Sequence, residues 1–502
     1  MKNIKMNITT RTSTMVPPIS EIPHMDVWNS NADLLRSMYV DTVYFYRSTG
    51  APDFFDGDIM REAIGKALVL SFPAAGRLAR QEDGRTAIRC EGQGVLFVEA
   101  DSDACIDDFG DFAYQPATQQ LIPPVQTTDG IPSYPLFLFQ VTRFKCGGVS
   151  FGVKVHHYVT DGVAGIQFIN TISDFARGAP VTVNPWVDRT LLRARNPPTP
   201  KFPHVEYLPA PGLLPLKSNG TDFSPSVIKA NGANYYSAPE TESNGVSNGV
   251  HAVSDKTNGT NFAALETKSN GVRNGLRAAG DKVAVAPLEA AVVVLSKEKL
   301  ATLKGKVLSK ENSIRYSTYE ILSAHIWKCV TRARELDGAQ PTKLYTVIDG
   351  RARLVPPVPQ DYFGNVVFFT TPMSTAGEIV HHPMSYAAGQ IHNALARMDD
   401  EYIRSALDHL ELQPDLTKVI RNAHLGGDPN LTVISWARFP IYDCDFGWGR
   451  PIFMGPAGIN CDGTVHVLPS PVNDGSLTLS VGMRSDYMHK FQELILNEED
   501  AE

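Results

Sequence analysis

The apolar residues of this 502-residue chain change their period from one stretch to the next. Residues 134–145, YPLFLFQVTRFK, and 149–157, VSFGVKVHH, are dense in aromatic and β-branched side chains and flank Cys146-Gly147-Gly148. That pattern predicts a β-hairpin. Beyond Asp161-Gly162 the spacing switches to threes, with Val163, Ile166, Ile169, Ile172 and Phe175 on one stripe and Gly178 as a stop. This is an amphipathic helix. Later, PLEAAVVVLSKEKLATLKGK (287–306) reads as strand then helix, and STYEILSAHIWKCVTRARE (317–335) as a second helix. The closing NEEDAE reads as a solvated acidic tail. Both halves mix strands and helices, which points to the α/β class with α+β mixed sheets.

One region breaks the alternation. Residues 217–282 are rich in Ser, Asn, Gly, Thr and Lys, and within them ETESNGVSNGVHAVSDK (240–256) recurs as ETKSNGVRNGLRAAGDK (266–282), with 11 of 17 positions identical. So short a repeat buries too little apolar area to offset its ordering entropy, and a solenoid needs at least three repeats. The expectation is a disordered duplicated insertion in a linker, 206–284, between an N-terminal domain, 1–205, and a C-terminal domain, 285–502.

Composition narrows the function. A hydrophobic content of 43% suffices for a large core, and a net charge of -8 argues against a nucleic-acid or anionic-membrane partner. The first residues show no apolar h-region, and no apolar run approaches the roughly 18 residues of a membrane span. The six cysteines contain no C-x-x-C pair and read as free thiols in a reducing compartment, so the N-x-T sequons at Asn7, Asn219 and Asn258 carry no weight. The expectation is a soluble cytoplasmic monomer.

The candidate chemistry sits at the end of the predicted hairpin, in VHHYVTDGVAG (155–165). A zinc site needs a third ligand, and adjacent histidines on a strand face opposite ways. Gly148-Val149-Ser150-Phe151-Gly152 matches G-x-S-x-G, but Ser150 precedes a strand-like run rather than the helix that a nucleophile elbow requires. In a third reading His157 is a general base. A neutral imidazole with an ordinary pKa near 6.5 suits proton removal from an alcohol, and Asp161 fixes the local geometry.

A second motif, Asp445-Phe446-Gly447-Trp448-Gly449 within YDCDFGWGRPIFMGP, joins HHxxxDG. Together they resemble the plant BAHD acyltransferases, which move an acyl group from a coenzyme A thioester to an alcohol or amine. STMVPP, VWNSNADLL, VYFYR, FPAAGRL, DFARG, DGRARL, YFGN, LELQPDL and PSPVNDGSL resemble the hydroxycinnamoyl-CoA:shikimate or quinate branch of that family. The resemblance implies two chloramphenicol acetyltransferase-like domains joined by a crossover loop, with a substrate channel between them. It implies His157 as base, Trp436 as donor to the developing oxyanion, and Asp161 paired with Arg351 in a structural role. Asp445, Gly447 and Gly449 are implied to be structural as well, and Ser296 and Lys297 to touch CoA.

For the acceptor it implies Arg421 as a carboxylate grip, with Thr42, Tyr44 and Ile434 lining the site. Three positions depart from the family pattern: Tyr39 stands for a histidine, and Val40 and Ile434 for threonines. No cofactor and no metal are implied, since the thioester is itself a substrate. The partners are an acyl-CoA, carrying a p-coumaroyl or caffeoyl group, and a hydroxy acid such as shikimate, quinate or threonate. A different acyl-CoA or an amine acceptor, a non-catalytic acyl-CoA binder, and a hydrolase acting through Ser150 stay open.

Overall fold

The structure is a computed structural model that describes residues 4–125, 130, 133–207, 226–230, 233–237, 286–307, 314–416, 419, 427–458 and 461–497. Residues 1–210 and 286–502 form one compact unit, and 211–285 a second.

Two large sheets organise the first unit. The N-terminal sheet has six strands in the order Ile8–Val16, Val95–Ser102, Phe137–Phe144, Val149–His156, Tyr39–Tyr46 and Phe453–Pro456. The predicted hairpin is its centre, with Phe137 opposite Val155 and Arg143 opposite Val149. Gly147 turns it with a φ of 82°, a value that glycine adopts without steric cost. The C-terminal sheet runs Leu288–Leu295, Leu477–Arg484, Thr464–Pro469, Leu431–Ser435, Pro341–Asp349 and Val367–Thr370, and Met373–Thr375 also pairs with Pro341–Asp349. A three-stranded sheet, Met25–Val27, Thr86–Cys90 and Arg77–Arg80, completes the unit.

The predicted helices are Gly162–Ala176, Lys297–Val307 and Thr318–Ala333. Gly162–Ala176 buries Ile166, Ile169 and Ile172 of the predicted stripe, together with Ala164 and Phe168. Ser317 and Glu320 form a capping box at the start of Thr318–Ala333, which fixes where that helix begins.

The two halves interlock, so a boundary drawn in the linker does not separate them cleanly. Phe453–Pro456 comes from the C-terminal half, yet it pairs antiparallel with Tyr39–Tyr46, Phe453 opposite Phe45. Ile441, Tyr442, Cys444, Phe446, Trp448 and Met454 lie in the same core as Tyr46, Phe55 and Phe151. Within the second unit, Ser226–Ala230 and Ala233–Ser237 pair antiparallel, where the sequence suggested no ordered element. Val227, Ile228, Tyr235 and Tyr236 are strong strand formers on either side of an Asn-Gly dipeptide, which accounts for the pairing. The duplicated stretches 240–256 and 266–282 lie outside the described residues.

Candidate active site

His157 stands one residue beyond the strand Val149–His156. Its N–H donates to Met38 O at 2.8 Å, and its carbonyl accepts from Asn365 Nδ2 at 2.8 Å. The residue is 9% exposed, and Nδ1 is enclosed without a hydrogen-bond partner among the described residues. Burial, helped by the positive charge of Arg36, pulls its pKa down from the ordinary value to about 4, against the opposing pull of Asp161. At neutral pH the imidazole is therefore uncharged, the form that accepts a proton. His156 turns the other way and meets the rings of Tyr39 and Tyr158 edge-on at 4.9 Å each. The Tyr39 hydroxyl donates to Pro135 O at 2.7 Å.

Asp161 is not a partner of the His157 ring. Its carboxylate takes both arms of Arg351, Nη1 at 2.8 Å and Nη2 at 3.1 Å, with both side chains fully enclosed. It also accepts from Ala164 N–H, capping the helix Gly162–Ala176, and from Val366 N–H at 3.0 Å. The HxxxD spacing thus ties a loop down rather than relaying a proton. A second buried ion pair, unforeseen in the sequence, does the same work beside it. Arg189 meets Asp33 at 3.1 Å and donates to Tyr158 O, while Asp33 accepts from the backbone and side chain of Asn365. Asn365 in turn holds the His157 carbonyl. Polar residues in apolar surroundings were the available signal, in VWNSNADLL and YFGN.

Trp436 follows the strand Leu431–Ser435. Its N–H bonds to Val467 O at 2.7 Å, its half-buried ring meets that of His466 at 5.1 Å, and its indole N–H bonds to nothing among the described residues. The turn that carries it reaches the histidine loop. A Cβ at Gly162 would lie 2.7 Å from Phe439 Cε2, and Asn170 Nδ2 donates to Pro440 O at 3.1 Å. Ile434 pairs with His466 across the parallel strands. Thr42 and Tyr44 lie opposite Val153 and Phe151, on the face that Val153 and Val155 share. Tyr44 is almost fully enclosed, and burial holds its hydroxyl protonated. Arg421 lies outside the described residues.

The remaining predicted residues are apart from this cluster. Asp445 Oδ1 accepts from Gly447 N–H and Gly449 N–H at 2.9 Å each, and both glycines have a φ near +100°, a region that disfavours a side chain. Trp448 Nε1 bonds to Asp53 at 3.2 Å, and Phe446 packs on Phe55 and Phe151. DFGWG is thus a self-bonded loop plugged into the N-terminal core. Ser296 Oγ accepts from Lys299 N–H and caps the helix Lys297–Val307, and Lys297 beside it is exposed. Ser150 is an interior strand residue, fully buried, whose Oγ has no partner among the described residues. With no base on that hydroxyl and no turn into a helix, the G-x-S-x-G match carries no nucleophile. An open surface groove of about 500 Å³ over Asp26, Arg80, Asp83 and Arg89 contains none of the predicted residues. Among the described residues no three metal-ligating side chains cluster, no helix is long and apolar enough to cross a membrane, and no disulfide joins the cysteines.

A buried histidine on an interlocked pair of mixed sheets, with DFGWG as a structural plug, agrees with the acyltransferase resemblance of the sequence. The chain belongs to the Transferase family, the BAHD acyltransferases, whose sequence model matches residues 6–261 and 278–497. It is 46% identical over 491 residues to shikimate O-hydroxycinnamoyltransferase of Nicotiana tabacum, covering 98% of this chain and 99% of that one. It is 44% identical over 501 residues to hydroxycinnamoyl-CoA:5-hydroxyanthranilate N-hydroxycinnamoyltransferase of Avena sativa, with the same coverage. The structure of F. graminearum TRI101 with coenzyme A and T-2 mycotoxin shares the fold, with a TM-score of 0.67 at 18% identity over 93% of this chain and 96% of that one.

Proposed function

We propose that the protein transfers a hydroxycinnamoyl group, p-coumaroyl or caffeoyl, from coenzyme A to a hydroxyl of a hydroxy acid such as shikimate, quinate or threonate. The observation that carries this reading is the neutral, enclosed His157 beside the turn of Trp436, in a chain with hydroxycinnamoyltransferases among its relatives. His157 removes the hydroxyl proton as the oxygen attacks the thioester carbonyl, and the Trp436 indole donates to the resulting oxyanion. Collapse of the tetrahedral intermediate expels the CoA thiolate, which takes the proton back from the imidazolium. The ester forms without a covalent enzyme intermediate. Shikimate and 5-hydroxyanthranilate, the acceptors named for two relatives, each carry a carboxylate, which supports an acid acceptor and a cation to grip it, Arg421. Ser296 and Lys297, exposed at a helix start, are the proposed contacts for CoA. The protein acts as a cytoplasmic monomer.

Release of free CoA thiol from p-coumaroyl-CoA, followed across a panel of acids, neutral alcohols and amines, tests this. Release should require an acceptor and favour hydroxy acids. His157→Ala should lower turnover by about 10²–10⁴-fold with p-coumaroyl-CoA binding retained. More than a tenth of the wild-type rate in that variant would remove His157 from the mechanism.

A further inference from the structure

Among the described residues, His157 Nδ1, His466 Nδ1 and Arg36 Nε are buried without hydrogen-bond partners, as are Arg189 Nε and Arg351 Nε. Arg36 is the most costly of them. It lies two residues before Met38, whose carbonyl holds the His157 N–H, and its guanidinium stacks on the Phe369 ring at 4.8 Å. No carboxylate among the described residues pairs with it. Its neighbours differ in the carboxylate alone, since Arg189 has Asp33 and Arg351 has Asp161. Burial pushes the Arg36 pKa down to about 10, yet it stays a cation at neutral pH, and its charge depresses the basicity of both His157 and His466. A partly desolvated cation without an anion is destabilising unless a ligand supplies one. His466, held neutral by burial, stands beside the apolar Ile434 and against the Trp436 ring. It places a polar nitrogen where that strand pair otherwise offers none.

We infer that Arg36 and His466 form a polar pocket of the acceptor site, in which Arg36 binds the acceptor's carboxylate and His466 one of its hydroxyls. This rests on the acid acceptor proposed above. The phosphates of CoA are not the anion in question, because the pantetheine arm separates them from the thioester that His157 must face. The guanidinium held over Phe369 is itself a flat fork, the shape that matches a carboxylate.

The test compares shikimate with its carboxamide, which keeps the ring and hydroxyls but loses the charge. Arg36→Met preserves the bulk over Phe369. It should lower kcat/KM for shikimate about 10–100-fold, mainly through KM, and change the carboxamide by less than about threefold. Arg36→Lys should recover part of the acid preference. His466→Phe keeps the ring contact with Trp436 and should cost about 3–10-fold with either acceptor. If Arg36→Met loses kcat equally for both acceptors, the guanidinium serves the reacting carbonyl or the fold, and the inference is wrong. An unchanged acid preference in that variant would also overturn it. Failure of wild-type enzyme to acylate any hydroxy acid would instead overturn the proposed function, and this inference with it.

Discussion

Replacing Asp161 by alanine removes a carboxylate that accepts four hydrogen bonds from three residues. The largest loss is the bidentate contact with Arg351, whose side chain is fully enclosed. Breaking a buried pair from one side costs about 3–5 kcal/mol. The lower end applies here, because Arg351 keeps Asp349 at 3.1 Å and the Tyr362 carbonyl at 3.2 Å. Losing the cap on Ala164 N–H adds about 1 kcal/mol, and the Val366 N–H left without an acceptor adds about 1–3 kcal/mol. These share one group and relax together, so a total of about 4 kcal/mol is expected rather than the full sum. Urea midpoints and thermal melting of Asp161→Ala, Arg351→Met and the double variant measure it. The double variant should be more stable than Asp161→Ala alone, since it no longer buries a charge whose one remaining carboxylate, Asp349, is exposed. Because Val366 adjoins Asn365, which holds the His157 carbonyl, turnover should fall as well. A melting temperature for Asp161→Ala within about 1 °C of wild type would refute the pair as a structural lock.

The pH profile of kcat/KM should have its acid limb near pH 4–5, because His157 is the base only when neutral and its pKa lies at about 4 rather than near 6.5. A midpoint at or above pH 6 would contradict that environment. Arg36→Met should shift the limb upward by removing one of the charges that depress it. Ser150→Ala should leave turnover, its dependence on acceptor and melting nearly unchanged, since the enclosed hydroxyl bonds to nothing; CoA release abolished by this change would revive the hydrolase reading. Deleting residues 222–280 should leave activity in place, because doubling a loop's length changes closure by only about 0.6 kcal/mol. Loss of soluble enzyme on deletion would give the segment a structural role.

What could be read along the chain was what local physics encodes. The hairpin around Gly147, the stripe of Gly162–Ala176 and the capping box of Thr318–Ala333 depend on residues a few positions apart, so periodicity and caps announce them. Ser226–Ala230 and Ala233–Ser237 escaped notice because composition averaged over the surrounding polar tract hides two short strands.

The sequence by itself determined the α/β class, the family and the position of a histidine at a strand end, since HHxxxDG and DFGWG are contiguous motifs. Only the tertiary structure decided how that histidine is surrounded. Arg36 and Asn365 come from segments far apart in the chain, and no spacing rule links either of them to it. Which arginine gains a carboxylate and which is left without one depends on packing between distant segments. Asp33 takes Arg189, Asp161 takes Arg351, and Arg36 faces a phenylalanine ring instead. In a low-dielectric interior, burial and the nearby charge of Arg36 pull down the basicity of His157, which residue identity alone does not fix.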